Sequence, residues 1–282
     1  MKKANPLGPL KNRKISVVLP VLAPTPFLRA MTEFAIQTLR AHADNEFELI
    51  VVEAESGDDE ERYFDPAHYA GSYSAQDCAN QYLYFNPKIG GVKELNAGVL
   101  AATGDFVVST GNDVIVPPHW DTELLRCFEE RWDCGVASLS AFEPGAIIGP
   151  PQPVDMIVEG MYSPFMMFRR GRRFCEDYLK IYQDSDFIMQ TYENGLRAYR
   201  SCRAHVHHLL RMTSDRVDQE LHKQQLAHDE RLFYERWSDS PFAMFGMIRY
   251  GQITYGKEYE AHLRPINLHY DPNAVVEAQP HG

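Results

Sequence analysis

The sequence predicts an α/β protein: a mostly parallel central sheet flanked by helices, followed by a mainly helical and irregular C-terminal extension. Three observations carry that reading. From Ile15 to Leu139 short apolar runs alternate with segments of helical periodicity, the pattern of strand-helix units joined by right-handed crossovers. Several apolar runs end in turn formers or acidic residues, which places polar groups at strand ends. After Leu139 the pattern gives way to Pro144, Gly145, Gly149, Pro150, Pro151 and Pro153, a long loop that marks an internal boundary.

The first strand is Ile15 to Val21, an apolar run that holds Pro20 near its end. Pro24 and Pro26 fix an extended loop, and Phe27, Met31, Phe34, Ala35, Thr38 and Leu39 recur at helical spacing up to Ala43. Glu48 to Val52 is a second strand that runs into Glu53-Ala54-Glu55-Ser56-Gly57-Asp58-Asp59. The Tyr- and Asp-rich stretch from Asp59 to Gln81 reads as loop with a short helix, and Tyr82 to Phe85 as a third strand. A turn at Asn86 to Gly91 leads to a helix from Val92 to Ala102. Asp105 to Ser109 is a strand, Trp120 to Arg131 a helix and Val136 to Leu139 a strand.

Beyond the boundary, Met161 to Arg169 reads as a strand, Arg173 to Leu179 as a connector, and Gln183 to Asn194 as a helix preceded by an acidic turn and closed by Gly195. Ala198 to Ser201 begins another strand. Ser214 to Trp237 is charged and helical, with Val217, Leu221, Leu226, Leu232 and Phe233 as an intermittent apolar stripe that packs back on the sheet domain. The expected division is residues 1–212 as one domain, with halves of about 14–140 and 141–212, and 213–282 as extension and tail.

Composition limits the function. The formal charge is −11, which disfavours a nucleic-acid partner. Arg169, Arg170, Arg172 and Arg173 form a basic cluster, either a solvated turn or a clamp for a phosphate-bearing substrate. No transmembrane segment is expected, and the basic start leads into no signal-peptide hydrophobic core, so the expected location is cytoplasmic. Five cysteines without CxxC spacing read as free thiols.

The stretch Gly104 to Val114 is organising: a buried strand runs straight into Gly111-Asn112-Asp113. Open α/β sheets bind ligands beyond the carboxyl ends of their strands, so Asp113 is placed like a working residue. The plainer alternative is that Asn112 and Asp113 only shape a turn. Three more polar clusters follow the same logic: Glu53 to Asp59, Asp184-Ser185-Asp186, and His205-Val206-His207-His208.

In order and spacing these clusters resemble family 2 glycosyltransferases of the GT-A fold, whose central sheet is Rossmann-like. The resemblance covers about Ile15 to His208, with a weaker echo at Phe233 to Trp237. Pro20 and Val21 match the end of the family's first strand, at the nucleotide base. Glu53, Glu55 and Ser56 match the second-strand motif, with Glu53 where an acidic residue bonds the base. Lys93, Asn96 and Gly98 match the segment beside the donor. Asn112-Asp113 matches the DXD motif in a degenerate form, Asp184 and Asp186 match the Glu-Asp-x-Asp motif with Gln183 in the leading position, and His207 matches the histidine that completes a metal site.

The resemblance implies inverting transfer of a sugar from a nucleotide-sugar donor, with UDP favoured, to an acceptor hydroxyl on a glycan or lipid-linked glycan. Departure of a nucleoside diphosphate requires neutralised charge, which Mn²⁺ or Mg²⁺ on Asp113 supplies, and an imidazole ligand at His207 favours Mn²⁺. The acceptor hydroxyl needs a base, for which Asp184 is the candidate, while Asp186 either assists or caps the helix. Lys88 and Lys93 are further candidates for phosphate charge. The alternatives are a non-catalytic nucleotide-sugar binder, a nucleotidyltransferase on a related sheet and a DNA-modifying transferase. The sequence leaves a homo-oligomer open.

Overall fold

A computed structural model describes residue 10 and residues 13–22, 25–54, 81–85, 89–142, 157–159, 164–209 and 219–240. The chain-order elements are β1 (Ile15–Val21), α1 (Pro26–His42), β2 (Phe47–Ala54), β3 (Gln81–Phe85), α2 (Gly91–Ala101), β4 (Phe106–Thr110), β5 (Val114–Ile115), α3 (Trp120–Glu130), β6 (Cys134–Phe142), β7 (Ile157–Glu159), β8 (Phe165–Arg169), α4 (Gln183–Glu193), β9 (Arg197–His208) and α5 (Gln219–Trp237). The expected short helix between Asp59 and Gln81, the Pro-rich loop from Pro144 to Pro153 and the tail beyond residue 240 lie outside the described residues.

The nine strands of the described residues join one sheet in the order β3-β2-β1-β4-β8-β6-β9-β5, with β7 on β9. β1, β2, β3 and β4 pair in parallel. β8 lies antiparallel to both β4 and β6, so β6 runs with β4, and β9 pairs parallel to β6. Six of the nine strands, β1 to β4 with β6 and β9, therefore point the same way, which is the mostly parallel α/β sheet expected. Their C-terminal ends, Val21, Ala54, Phe85, Thr110, Phe142 and His208, share one edge.

Strand alternation sends side chains to two apolar layers. Val17, Leu19, Leu49, Val51 and Val108 meet α1 and α3 through Leu28, Ile36, Trp120 and Leu124. Val18, Ile50, Val52, Val107 and Met166 meet α2, α4 and α5 through Val92, Val99, Phe187, Phe233 and Trp237. Helix α1 starts where Thr25 accepts the Leu28 amide at 3.3 Å. Helix α2 sits so low on the sheet that a Cβ at Gly98 would meet Val18 Cγ1 at 2.4 Å and Val52 Cγ2 at 2.7 Å. That close approach explains the glycine of the Asn-x-Gly element by packing alone.

Within the described residues the expected strands and helices are present, with three differences. β6 and β9 extend further than their apolar cores suggest, because each pairs along most of its length with the other. β5 and β7 are two and three residues long, too short to carry periodicity. The acidic turn before α4 is the first turn of the helix itself. The four described cysteines, Cys127, Cys134, Cys175 and Cys202, are free thiols. Among the described residues no helix is long and apolar enough to cross a membrane.

At the opposite, N-terminal edge the buried Glu48 carboxylate ties the layers together. It accepts from Ser16 Oγ at 2.5 Å, the Thr103 amide at 2.9 Å and Gln81 Nε2 at 2.9 Å. Burial alone would raise its pKa, but these bonds to the charged form hold it below the ordinary value of 4.5. Glu48→Gln is expected to lower unfolding free energy by about 2 kcal/mol at neutral pH. The native pKa is depressed, so the contribution is present above the ordinary carboxylate range and vanishes as pH falls through the folded value. Urea denaturation of the two proteins should therefore show a constant gap near neutrality that closes below about pH 4.

Candidate functional site

The turn after β4 is built to present one carboxylate. The Val114 amide donates to Gly111 O at 3.3 Å, which closes the turn. A Cβ at Gly111 would stand 2.6 Å from Asp113 Oδ1, so glycine leaves room for the Asp113 carboxylate to fold over the turn. Asn112 is buried, and its amide donates to Thr32 Oγ1 at 2.9 Å and to Leu22 O at 3.3 Å. It anchors the turn to α1 and to the end of β1, while Asp113 remains at the surface.

β5 then pairs with the end of β9, Val114 opposite His208 and Ile115 opposite His207, and the Leu209 amide donates to Asp113 O at 2.9 Å. This brings His208 Nε2 to 3.5 Å from Asp113 Oδ2, with the two side chains 16% and 15% exposed. The imidazole beside Asp113 is thus His208 and not His207, which alternation directs to the other face, where its ring lies 5.4 Å from Phe142. His205 stacks on Phe142 at 4.7 Å, and burial, with Arg200 and His207 nearby, pushes its pKa down.

On the neighbouring strands, Glu53 pairs in register with Val21 and Tyr84, is fully buried, and accepts a hydrogen bond from Tyr82 OH. Pro20 pairs with Val52 one step below. Glu55, Ser56 and Lys88 lie outside the described residues.

Several expected site residues have other work. Asn96 is buried; its amide donates to Phe174 O at 2.9 Å and to Glu176 Oε1 at 3.0 Å, and its carbonyl accepts the Phe174 amide at 3.0 Å. It fastens α2 to the segment before α4. Lys93 stands exposed on α2. The basic cluster is not at the strand-end crevice. Arg169 pairs with Phe106 at the start of β4, and the Arg170 amide donates to Asp105 O, both at the N-terminal edge. Arg172 turns inward, 3.8 Å over the Phe187 ring and bonded to Phe187 O and Thr191 Oγ1, and burial lowers its pKa to about 10.

Asp184 and Asp186 both lie in the first turn of α4. Phe187 packs on Phe168, and Thr191 one turn later reaches Gly135 at the start of β6. The helix therefore runs toward the N-terminal edge, and its first turn faces the edge that carries Asp113. Asp184 is 9% exposed and accepts the Ser185 amide at 2.7 Å. Asp186 is 0% exposed and takes Trp237 Nε1 at 2.8 Å, Gln190 Nε2 at 2.6 Å and Tyr178 OH at 3.3 Å, with Arg236 at 3.4 Å. It is enclosed by the packing, so of the two carboxylates only Asp184 keeps any exposure. Among the described residues no group of three or more His, Cys, Asp or Glu side chains gathers at one point; Asp113 and His208 stand as a pair.

The fold is an open α/β sheet whose parallel strands end at the edge that carries Asp113 and His208, the edge at which sheets of this class bind ligands. The model of glycosyl transferase family 2 matches residues 16–189, and the chain belongs to that family. It is a glycosyltransferase. Its fold is that of S. aureus TarS: the 1–349 segment superposes with a TM-score of 0.53 at 15% identity, over 90% of this chain and 78% of that one. The same segment in complex with UDP superposes with a TM-score of 0.53 at 16% identity, over 91% and 86%. A search of curated proteins finds no sequence match.

Asn96→Ala separates packing from ligand contact. Loss of its three bonds to Phe174 and Glu176 is expected to cost about 2 kcal/mol in thermal or urea unfolding. UDP affinity, measured by calorimetry, should stay within about twofold of wild type.

Proposed function

We propose that the chain transfers a sugar, with inversion, from a UDP-linked donor to an acceptor hydroxyl of a glycan or lipid-linked glycan. The observation that carries this reading is the Asp113–His208 pair, partly open at the C-terminal edge of a family 2 fold. UDP bound to TarS, which shares the fold, supports a uridine nucleotide as donor.

The donor set of one carboxylate oxygen and one imidazole nitrogen fits a divalent ion that takes its remaining ligands from substrate and water, Mn²⁺ in preference to Mg²⁺. Held by Asp113 and His208, such an ion would supply the positive charge that a departing diphosphate needs. Asn112 keeps Asp113 aimed outward by holding the turn to α1. Glu53, oriented by Tyr82, bonds the base at the ends of β1 and β2. Asp184 takes the acceptor proton as the hydroxyl attacks the anomeric carbon, and the sugar–phosphate bond breaks on the opposite side.

A thermal-shift series tests the reading. UDP with Mn²⁺ at about a hundred times Kd should stabilise the wild-type chain by about 2.7 kcal/mol. Asp113→Asn should lose the Mn²⁺-dependent part of that shift. Asp184→Asn should keep it while UDP release from a panel of UDP-sugars falls by about 10²- to 10⁴-fold. No stabilisation by any nucleoside diphosphate would overturn the donor assignment, and binding without turnover would make the chain a nucleotide-sugar binder.

A further inference from the structure

Residues 179–182 lead into α4, and helix α5 holds them from outside the stretch that the family model matches. Asp229 on α5 is 0% exposed and accepts three consecutive main-chain amides: Leu179 on Oδ1 and Lys180 and Ile181 on Oδ2, each at 2.8 Å. The next residue, Tyr182, stands at φ 63°, a left-handed conformation that a bulky side chain rarely adopts. Its ring packs 5.1 Å from Phe233 and its hydroxyl reaches Glu230 Oε1 at 3.4 Å. One turn further, Trp237 Nε1 donates to Asp186 in the first turn of α4. Asp229, Phe233 and Trp237 are spaced i, i+4, i+8, so one face of α5 meets the entry to α4 along its length.

A buried carboxylate that accepts three adjacent amides fixes the direction of that peptide segment, because each N–H points at a common centre. Two residues, Tyr182 and Gln183, separate this clamp from Asp184. We infer that Asp229 is a positioning residue for the transfer reaction: it sets the left-handed entry at Tyr182 and thereby the height and rotation at which α4 presents Asp184 to the acceptor. This rests on the reading of Asp184 as the base. Trp237 serves the same end from the other side of the turn by holding Asp186.

The tests compare wild type, Asp229→Asn, Asp229→Glu and Trp237→Phe. An asparagine replaces one acceptor oxygen with an NH₂ group that opposes the incoming amides, whereas glutamate keeps the carboxylate. Expected for Asp229→Asn is a fall in kcat for UDP release of about 10- to 100-fold, since small misplacements of a reacting group cost on that order. KM for the UDP-sugar and the affinity for UDP with Mn²⁺ should stay within about threefold. Hydrogen exchange should accelerate at residues 179–186 and not in β1, β2 or β4. Asp229→Glu should recover part of kcat, and Trp237→Phe, which retains the apolar packing, should show a smaller loss of the same kind.

Unchanged kcat in Asp229→Asn with faster exchange at 179–186 overturns the proposal, as does a loss of UDP affinity in step with kcat or faster exchange across the whole sheet. If Asp229→Asn does not fold, the kcat and exchange pattern of Trp237→Phe decides in the same terms. Asp184→Asn run alongside distinguishes the two readings. Full turnover in Asp184→Asn, or no UDP release by wild type, overturns the base assignment and this inference with it. Loss of turnover in Asp184→Asn but not in Asp229→Asn overturns the positioning role alone.

Discussion

Glu48 closes one edge of the sheet so that the other can stay open. Its carboxylate gathers Ser16 of β1, Gln81 of β3 and Thr103 from the turn between α2 and β4. Three parallel strands and the helix that crosses between them are thereby registered at their N-terminal ends, where Lys14 adds a further ion pair at 3.9 Å. At the C-terminal edge stand the polar groups Glu53, Asn112, Asp113 and His208. The two edges differ in this respect: Glu48 is buried and saturated at one, while at the other Asp113 keeps 15% exposure and Glu53 is fully buried.

Buried carboxylates recur wherever two elements meet at an angle that apolar packing does not fix. Asp121, at the start of α3, accepts the Asp44 and Asn45 amides at 3.0 and 2.8 Å and so locks α3 to the turn before β2. Asp186 and Asp229 do the same between α4 and α5. An apolar contact tolerates sliding, whereas a carboxylate holding several N–H groups tolerates little, because each donor left without its acceptor costs the full desolvation of that group.

The strands, the helices and the position of Asp113 were legible because each rests on local signals: β-branched runs, helical spacing, and turn formers at strand ends. What was not legible depended on pairing at a distance. The histidine beside Asp113 is set by the face that β9 turns to β5, and a one-residue difference between His207 and His208 reverses that face. Asn96 stands in a motif shared with donor-binding segments, yet its bonds go to Phe174, 78 residues away. The insertion of antiparallel β8 between β4 and β6 carried the basic cluster to the far edge, which no run of residues announces. The stripe on α5 was legible only in part, since Leu232 and Phe233 pack on the core as expected while the rest of the contact face did not show in the pattern. Its centre is Asp229, and a search for apolar periodicity passes over an aspartate, while Leu221 and Leu226, which fit the period, remain 50% and 36% exposed.

The pairing of β5 with β9 also has a bearing on the order in which the enzyme becomes complete. β1 to β4 come from the first 110 residues and pair among themselves, so that sheet can assemble as soon as it leaves the ribosome. Asp113 follows at once, but among the described residues the partner of its strand is the end of β9, some 95 positions later. A chain that ends before His208 therefore keeps the Asn112 anchor of the turn to α1 and β1 but lacks the imidazole that stands beside Asp113.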